Sequence, residues 1–252
     1  MRAGCGMSGL SRQAAARQEH ALVASPGRDT AVTAVVMALA AVVFAAVADP
    51  GVLAHIQRLD AAWLRLMISS RSAPVTAVAM LLNVLGLVYI TLPVRIALAG
   101  FLALRRRWWH LAAFAAAVAT SEILIGTLKG SYDRARPPGS LVATSGASFP
   151  SGHSIAASVT VVAAVIALVP AGRRRTAWGA AAVVFSIVMA LSRAYLGAHW
   201  LSDAVAGVLL GTSCALLAAL VAGLLQRRRA GQRPARPGRK PVPDMTLPAD
   251  RR

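Results

Sequence analysis

Acidic residues are scarce in this chain, 9 of 252, against 27 basic ones. All charged residues together make up 14%, well under the roughly 25% of an ordinary soluble domain. Nine scattered carboxylates cannot supply the clustered oxygen ligands of a two-metal centre, so no metal or other cofactor is expected. Cysteine is nearly missing. Cys5 lies in a polar stretch and Cys214 inside an apolar run, which excludes a disulfide framework. Aromatic residues are few, 5%, and no basic face is interleaved with stacking rings. A net charge of +18 therefore does not point to nucleic acid. The arginines fall instead into short clusters between apolar runs, at 105–107, 173–175 and 227–229. That is the pattern of cytoplasmic loops between membrane spans.

What the chain has in quantity is apolar length. Hydrophobic residues make up 57% of it, and the mean hydropathy is +0.61. A bilayer-spanning helix needs about 20 apolar residues. Spans are expected near 30–48, 75–104, 110–128, 153–169, 176–191 and 199–225. The fold class is all-α, a bundle of six transmembrane helices. The first run carries a signal-like Ala46-Val47-Ala48, but it is longer than a signal sequence and is read as an uncleaved span. The run 75–104 is too long for one straight span, so it either breaks near Gly86 or protrudes as a tilted helix. In 49–74, Val52, Ile56, Leu59, Trp63 and Leu66 recur at helical spacing, with His55, Arg58, Asp60 and Arg65 on the other side. This amphipathic helix lies at the membrane interface or packs on the bundle. Residues 1–29 and 226–252 are expected to be disordered basic tails flanking one domain at 30–225. Six spans with three basic clusters on one side place both termini in the cytoplasm of a plasma (inner) membrane protein. Segments 129–151 and 192–198 then face outward.

Those two segments and the span starts beside them hold nearly all the reactive side chains. Lys129, Arg136 and Arg193 are three cations with little negative charge nearby, a set that suits a phosphate. Ser151 and Gly152 stand at a helix start, where a cap and free N–H groups favour an anion. His199 and Asp203 are four residues apart on one helix face, which fixes the imidazole tautomer and leaves one nitrogen as a nucleophile. His153, on another helix, is free to act as a general acid. Lys129 and Lys240 are the only lysines in a chain that otherwise uses arginine. Arg134 is read as shaping the loop, Gly126, Gly207 and Gly211 as close helix contacts, and His20, His55 and His110 as interfacial or solvated.

The order Lys129-x6-Arg136-Pro137, Pro150-Ser151-Gly152-His153, Ser192-Arg193-x5-His199-x3-Asp203 resembles the three signature motifs of the type 2 phosphatidic acid phosphatase superfamily, which includes vanadium-dependent haloperoxidases. All motif positions are filled, and the six-span layout is that of a bacterial integral membrane member. The resemblance implies a lipid phosphatase. His199 would attack phosphorus, Asp203 would orient it, and His153 would protonate the leaving oxygen. Lys129, Arg136, Ser151, Gly152 and Arg193 would hold the phosphoryl oxygens. Candidate substrates are polyprenyl diphosphate, phosphatidic acid and phosphatidylglycerol phosphate, with membrane lipids as the surroundings and no nucleic acid partner. The alternatives are a vanadate-dependent haloperoxidase and a non-catalytic membrane transport or scaffold protein. A last expectation rests on no motif. Arg95 and Glu122 are ionisable groups in two adjacent spans, at depths about one turn apart, and should pair.

Overall fold

Proline opens the first two helices and stands in the first turn of the third, where its missing N–H would have no partner in any case. In the computed structural model, which describes residues 21–232, the elements are α1 Pro26–Ala48, α2 Pro50–Ser69, α3 Ala73–Leu85, α4 Val88–Leu104, α5 Trp108–Tyr132, α6 Gly152–Leu168, α7 Arg173–Tyr195 and α8 Leu201–Gly231. No strand occurs among the described residues. Helices α1, α5, α7 and α8 are each long and apolar enough to cross a bilayer. Helices α3 and α4 are long and apolar enough for a span only together, and they bend by 54° at the break at Gly86 and Leu87. Helix α6 has 17 residues, about 26 Å at 1.5 Å per residue and slightly short of a hydrocarbon core of about 30 Å. It is the inner helix, packed against α5, α7 and α8, so its polar ends are covered by protein. Counting the bent pair once gives five candidate spans, and the shorter apolar α6 makes the helix layout compatible with the six expected.

Several boundaries move outward from the sequence reading. Helix α1 begins at Pro26 and α8 runs on to Gly231, so parts of both expected tails are helical. Helix α5 continues to Tyr132 and α7 to Tyr195, which puts Lys129 and Arg193 in last helical turns rather than in loops. The remaining tail expectations, with Cys5, His20 and Lys240, lie outside the described residues. Before α1, Leu22 and Val23 are buried, their carbonyls taken by Arg175 and Arg227.

Glycine sets the closest packing. A Cβ at Gly207 would stand 2.7 Å from Ser151 O, and one at Gly211 would stand 2.6 Å from Ile155 O. These two positions let α8 lie directly on α6. Gly126 is different: nothing lies within 4 Å of its Cβ position, so it makes no close helix contact. His110 is also corrected, since it is buried.

Helix α2 resolves the interface-or-packing question both ways. Val52, Leu59 and Leu66 of its apolar stripe are exposed. The inward side carries Leu64 and, against expectation, Asp60, only 3% exposed. The expected pair between α4 and α5 is present. Arg95 Nη1 donates to Glu122 Oε1 at 2.7 Å, its Nε to Thr160 Oγ1 at 2.9 Å, and its Nη2 to Ala156 O at 3.3 Å. One arginine thus ties α4 to α5 and to α6 a turn below His153.

Candidate active site

Four helix ends meet at the same end of the bundle: the last turns of α5 and α7, the start of α6 and the start of α8. The loop 133–151 is threaded between them. It opens at Asp133 in the left-handed region and closes on a cis Phe149–Pro150 bond. Phe149 is fully buried against Tyr132 and Phe44, and Ser151 N–H donates to Asp203 O. The α6 start is thereby fastened to α8. Ser151 is the N-cap residue, as expected, but its hydroxyl makes no cap bond and instead accepts from Ser154 Oγ at 3.0 Å.

His199 is 4% exposed, and its partners fix its tautomer. Nδ1 lies 2.7 Å from Ser148 O, which can only accept. Nε2 lies 3.4 Å from Arg136 Nη1, which can only donate. The proton therefore sits on Nδ1 and the lone pair on Nε2. Asp203 Oδ2 is 3.8 Å from Nδ1, an ion-pair distance rather than a hydrogen bond. So the orienting bond expected from Asp203 comes from a main-chain carbonyl, and Asp203 contributes its charge alongside. Burial is the largest influence on His199, with Arg136 and Arg193 adding to it. Together they outweigh the pull of Asp203 and hold the imidazole pKa below its ordinary 6.5.

Asp203 is itself fully buried and well supplied with donors. It accepts from Arg134 Nη1 at 2.6 Å, from Trp200 N at 2.9 Å and from Ser148 Oγ. Arg134 is the residue the sequence undervalued. Its other nitrogen, Nη2, donates to Asp60 Oδ2 at 2.8 Å and to Gln57 Oε1 at 2.8 Å. Asp60 also takes Ser202 N at 3.0 Å and Ser202 Oγ at 2.6 Å. A buried Asp60–Arg134–Asp203 chain thus joins α2 to the start of α8.

Lys129, Arg136 and Arg193 lie close enough to interact electrostatically. Arg136 donates to the carbonyls of Ser145, Gly146, Ala147 and Ala198, and Lys129 Nζ to Ala147 O at 3.3 Å. Burial, against a weaker pull from Asp203, holds the Arg136 pKa below its usual value, yet a guanidinium stays charged. Arg193 is 3% exposed; its Nη1 bonds Asn83 Oδ1, while its Nε is buried without a partner. Arg193, His199 and Lys129 all lie within electrostatic reach of His153. A neutral imidazole presenting its lone pair among three cations suits attack on an anionic electrophile. No group of three His, Cys, Asp or Glu able to hold a metal occurs among the described residues. Cavity size does not mark this place: a cavity of about 1440 Å³ lies at the opposite helix ends, lined by Arg105, Trp109 and Gln226.

Comparison with known proteins places this architecture. Residues 108–227 match the PAP2 superfamily. The fold is similar to the crystal structure of a transmembrane PAP2-type phosphatidylglycerolphosphate phosphatase from Bacillus subtilis, with TM-score 0.64 and 23% identity, covering 81% of this chain and 98% of that one. It is also similar to the crystal structure of Aquifex aeolicus LpxE, with TM-score 0.52 and 21% identity, covering 62% of this chain and 91% of that one. No curated protein sequence matches. With its apolar helices and these membrane neighbours, the protein is an integral membrane protein. The stretch matched to that superfamily, residues 108–227, carries every motif position.

Proposed function

We propose that this protein is a membrane phosphatase that removes phosphate from a lipid phosphate or diphosphate through a phosphohistidine at His199. The observation that carries the reading is the His199 tautomer. Nδ1–H is held on Ser148 O, and the Nε2 lone pair is turned to Arg136 beside a buried Arg193 with a free Nε donor.

Phosphoryl oxygens accept from Lys129, Arg136 and Arg193, with the Ser151 hydroxyl and the N–H groups at Gly152 completing the cradle. Electrostatic stabilisation of the transferring group is the main work in such a reaction. His199 Nε2 attacks phosphorus. The bond to the leaving oxygen breaks, its electron pair stays on that oxygen, and His153 supplies the proton. The phosphohistidine carries positive charge on its ring, which Asp203 offsets from 3.8 Å while Nδ1–H stays on Ser148 O. Water, giving its proton to His153, then cleaves the N–P bond and releases phosphate.

The substrate class follows from where the site lies. It sits at the ends of apolar helices, so a lipid can keep its tails in the bilayer while its headgroup reaches His199. Phosphatidylglycerol phosphate, phosphatidic acid and polyprenyl diphosphate all meet that description, and the first is named for the Bacillus subtilis neighbour. The arginine clusters support a cytoplasmic side for the opposite helix ends and both termini, with the site outside. The test is phosphate release by purified protein in detergent from these three lipids. Release from at least one, lost in His199→Ala, supports the reading. No release from any would refute it, and halide oxidation instead would identify a haloperoxidase.

A further inference from the structure

We infer that the break in the second span belongs to the catalytic apparatus, with Asn83 and Gly86 acting as positioning residues for His153 and Arg193; this rests on the phosphatase reading above. In an unbroken helix the Asn83 carbonyl would accept from the N–H of Leu87, four residues on. Here the chain turns. Leu87 N donates to Val84 O and Gly86 N to Leu82 O. The Asn83 carbonyl is left as one of the unsatisfied acceptors of a helix C-terminus. His153 Nε2 takes it at 3.3 Å. A carbonyl only accepts, so the Asn83 carbonyl holds a His153 proton on Nε2. His199 and His153 are thus set in opposite states by their partners: one with a bare Nε2, the other with Nε2–H. The His153 bond is long, and a leaving oxygen arriving closer would displace it.

The same residue reaches the other half of the site. Asn83 Oδ1 accepts from Arg193 Nη1. The side chain pins a phosphate-holding cation while the main chain holds the acid. Gly86, one turn on, leaves the space for the His153 ring. A Cβ there would overlap Cδ2 of the imidazole and stand 3.1 Å from Cγ.

Helix α3 is well fixed to do this. Its start is clamped by Tyr195, whose hydroxyl lies 3.1 Å from Ser72 N and 2.9 Å from Thr76 Oγ1. Ala79 is buried with Tyr195 and Leu196, and Leu82 with Ala157 and Met189. Ala79, Leu82, Asn83 and Gly86 fall on one helix face, while Val78, Leu81, Val84 and Leu85 face outward. The bend at Gly86 then lets α4 depart, having delivered a helix end to the site.

Kinetics on two substrates test this. A long-chain alkyl phosphate has a poor leaving group and needs the acid; p-nitrophenyl phosphate has a good one and needs it little. Gly86→Ala should lower kcat on the alkyl phosphate by about 10–100-fold, the range of a misplaced general acid, and on p-nitrophenyl phosphate by less than about 3-fold. Added to His153→Ala, it should cost less than about 2-fold more on either. Asn83→Ala, which introduces no clash, should raise KM on both substrates by about 10-fold, and Asn83→Asp, which keeps the acceptor, should restore it. Equal Gly86→Ala losses on both substrates, or a loss undiminished in His153→Ala, would overturn the role of Gly86. Unchanged KM in Asn83→Ala would overturn that of Asn83, whether or not the Gly86 variant folds. If wild type hydrolyses neither substrate, the phosphatase reading itself fails; if wild type is active and the variants match it, only this inference does.

Discussion

Replacing Arg134 by methionine should destabilise the protein severely, although no motif contains it. Its two nitrogens hold two carboxylates, Asp60 at 2.8 Å and Asp203 at 2.6 Å, with side-chain exposures of 3% and 0%. Methionine fills much of the volume but leaves both charges buried without their cation. Removing one partner of a buried pair costs about 3–5 kcal/mol. Asp60 keeps Ser202 and Asp203 keeps Trp200 N and Ser148, so we expect one such loss rather than two. At about 2–4 °C per kcal/mol for a chain of this size, Tm should fall by about 6–20 °C. Lysine should rescue only in part, because an ammonium cannot fork to two carboxylates. Thermal unfolding of the purified protein in detergent reads the result. The double variant Arg134→Met with Asp60→Asn should be more stable than Arg134→Met alone, since one stranded charge is gone. A Tm for Arg134→Met within about 2 °C of wild type, or no recovery in the double variant, would refute the reasoning.

Burial holds the His199 pKa below 6.5, so its imidazole stays neutral into mild acid. The acid limb of kcat/KM should therefore fall below pH 6.5; a limb above pH 7 would contradict this. The matching stability contribution is present above pH 6.5 and is lost as pH falls through the window beneath it, where the unfolded histidine binds a proton first. Activity should survive chelation, because Lys129, Arg136 and Arg193 already supply the charge that a metal would; loss in chelator restored by magnesium would refute this. Vanadate should inhibit, its five-coordinate form resembling the transferring phosphoryl group. In a chain with Cys5 and Cys214 replaced, a cysteine at Ser140 should react with an impermeant thiol reagent in intact cells, and one at Arg228 should not; the reverse would invert the topology.

How far the sequence reached depended on the kind of signal. Apolar length and arginine clusters gave the spans, because crossing a bilayer demands both. The motif residues could be found because histidine and lysine are rare in this chain and the motif spacing constrains geometry. Arg95 and Glu122 could be paired because a charge inside an apolar helix has to find a partner. The supporting residues were hidden for physical reasons. Asp60 lies on a helix whose charges all look solvent-facing, and what turns it inward is Arg134 and Ser202, 74 and 142 residues away. Ser148 orients His199 with a main-chain carbonyl, which every residue has. Asn83 works through a carbonyl freed by a helix end, and only the position of the break reveals it. The run 75–104 was visibly too long for one straight span, but its length could not say that the junction would rest on His153.

The central claim is the covalent step, and trapping it is the most direct measurement. Purified protein mixed with a lipid phosphate labelled on phosphorus and quenched in alkali within the first turnover should carry label that is base-stable and acid-labile, as a phosphoramidate is. Peptide mapping should place that label on His199. Wild type should show it, His153→Ala should accumulate it if water attack slows more than its formation, and His199→Ala should show none. Label on any other residue, or steady phosphate release by His199→Ala, would contradict the account.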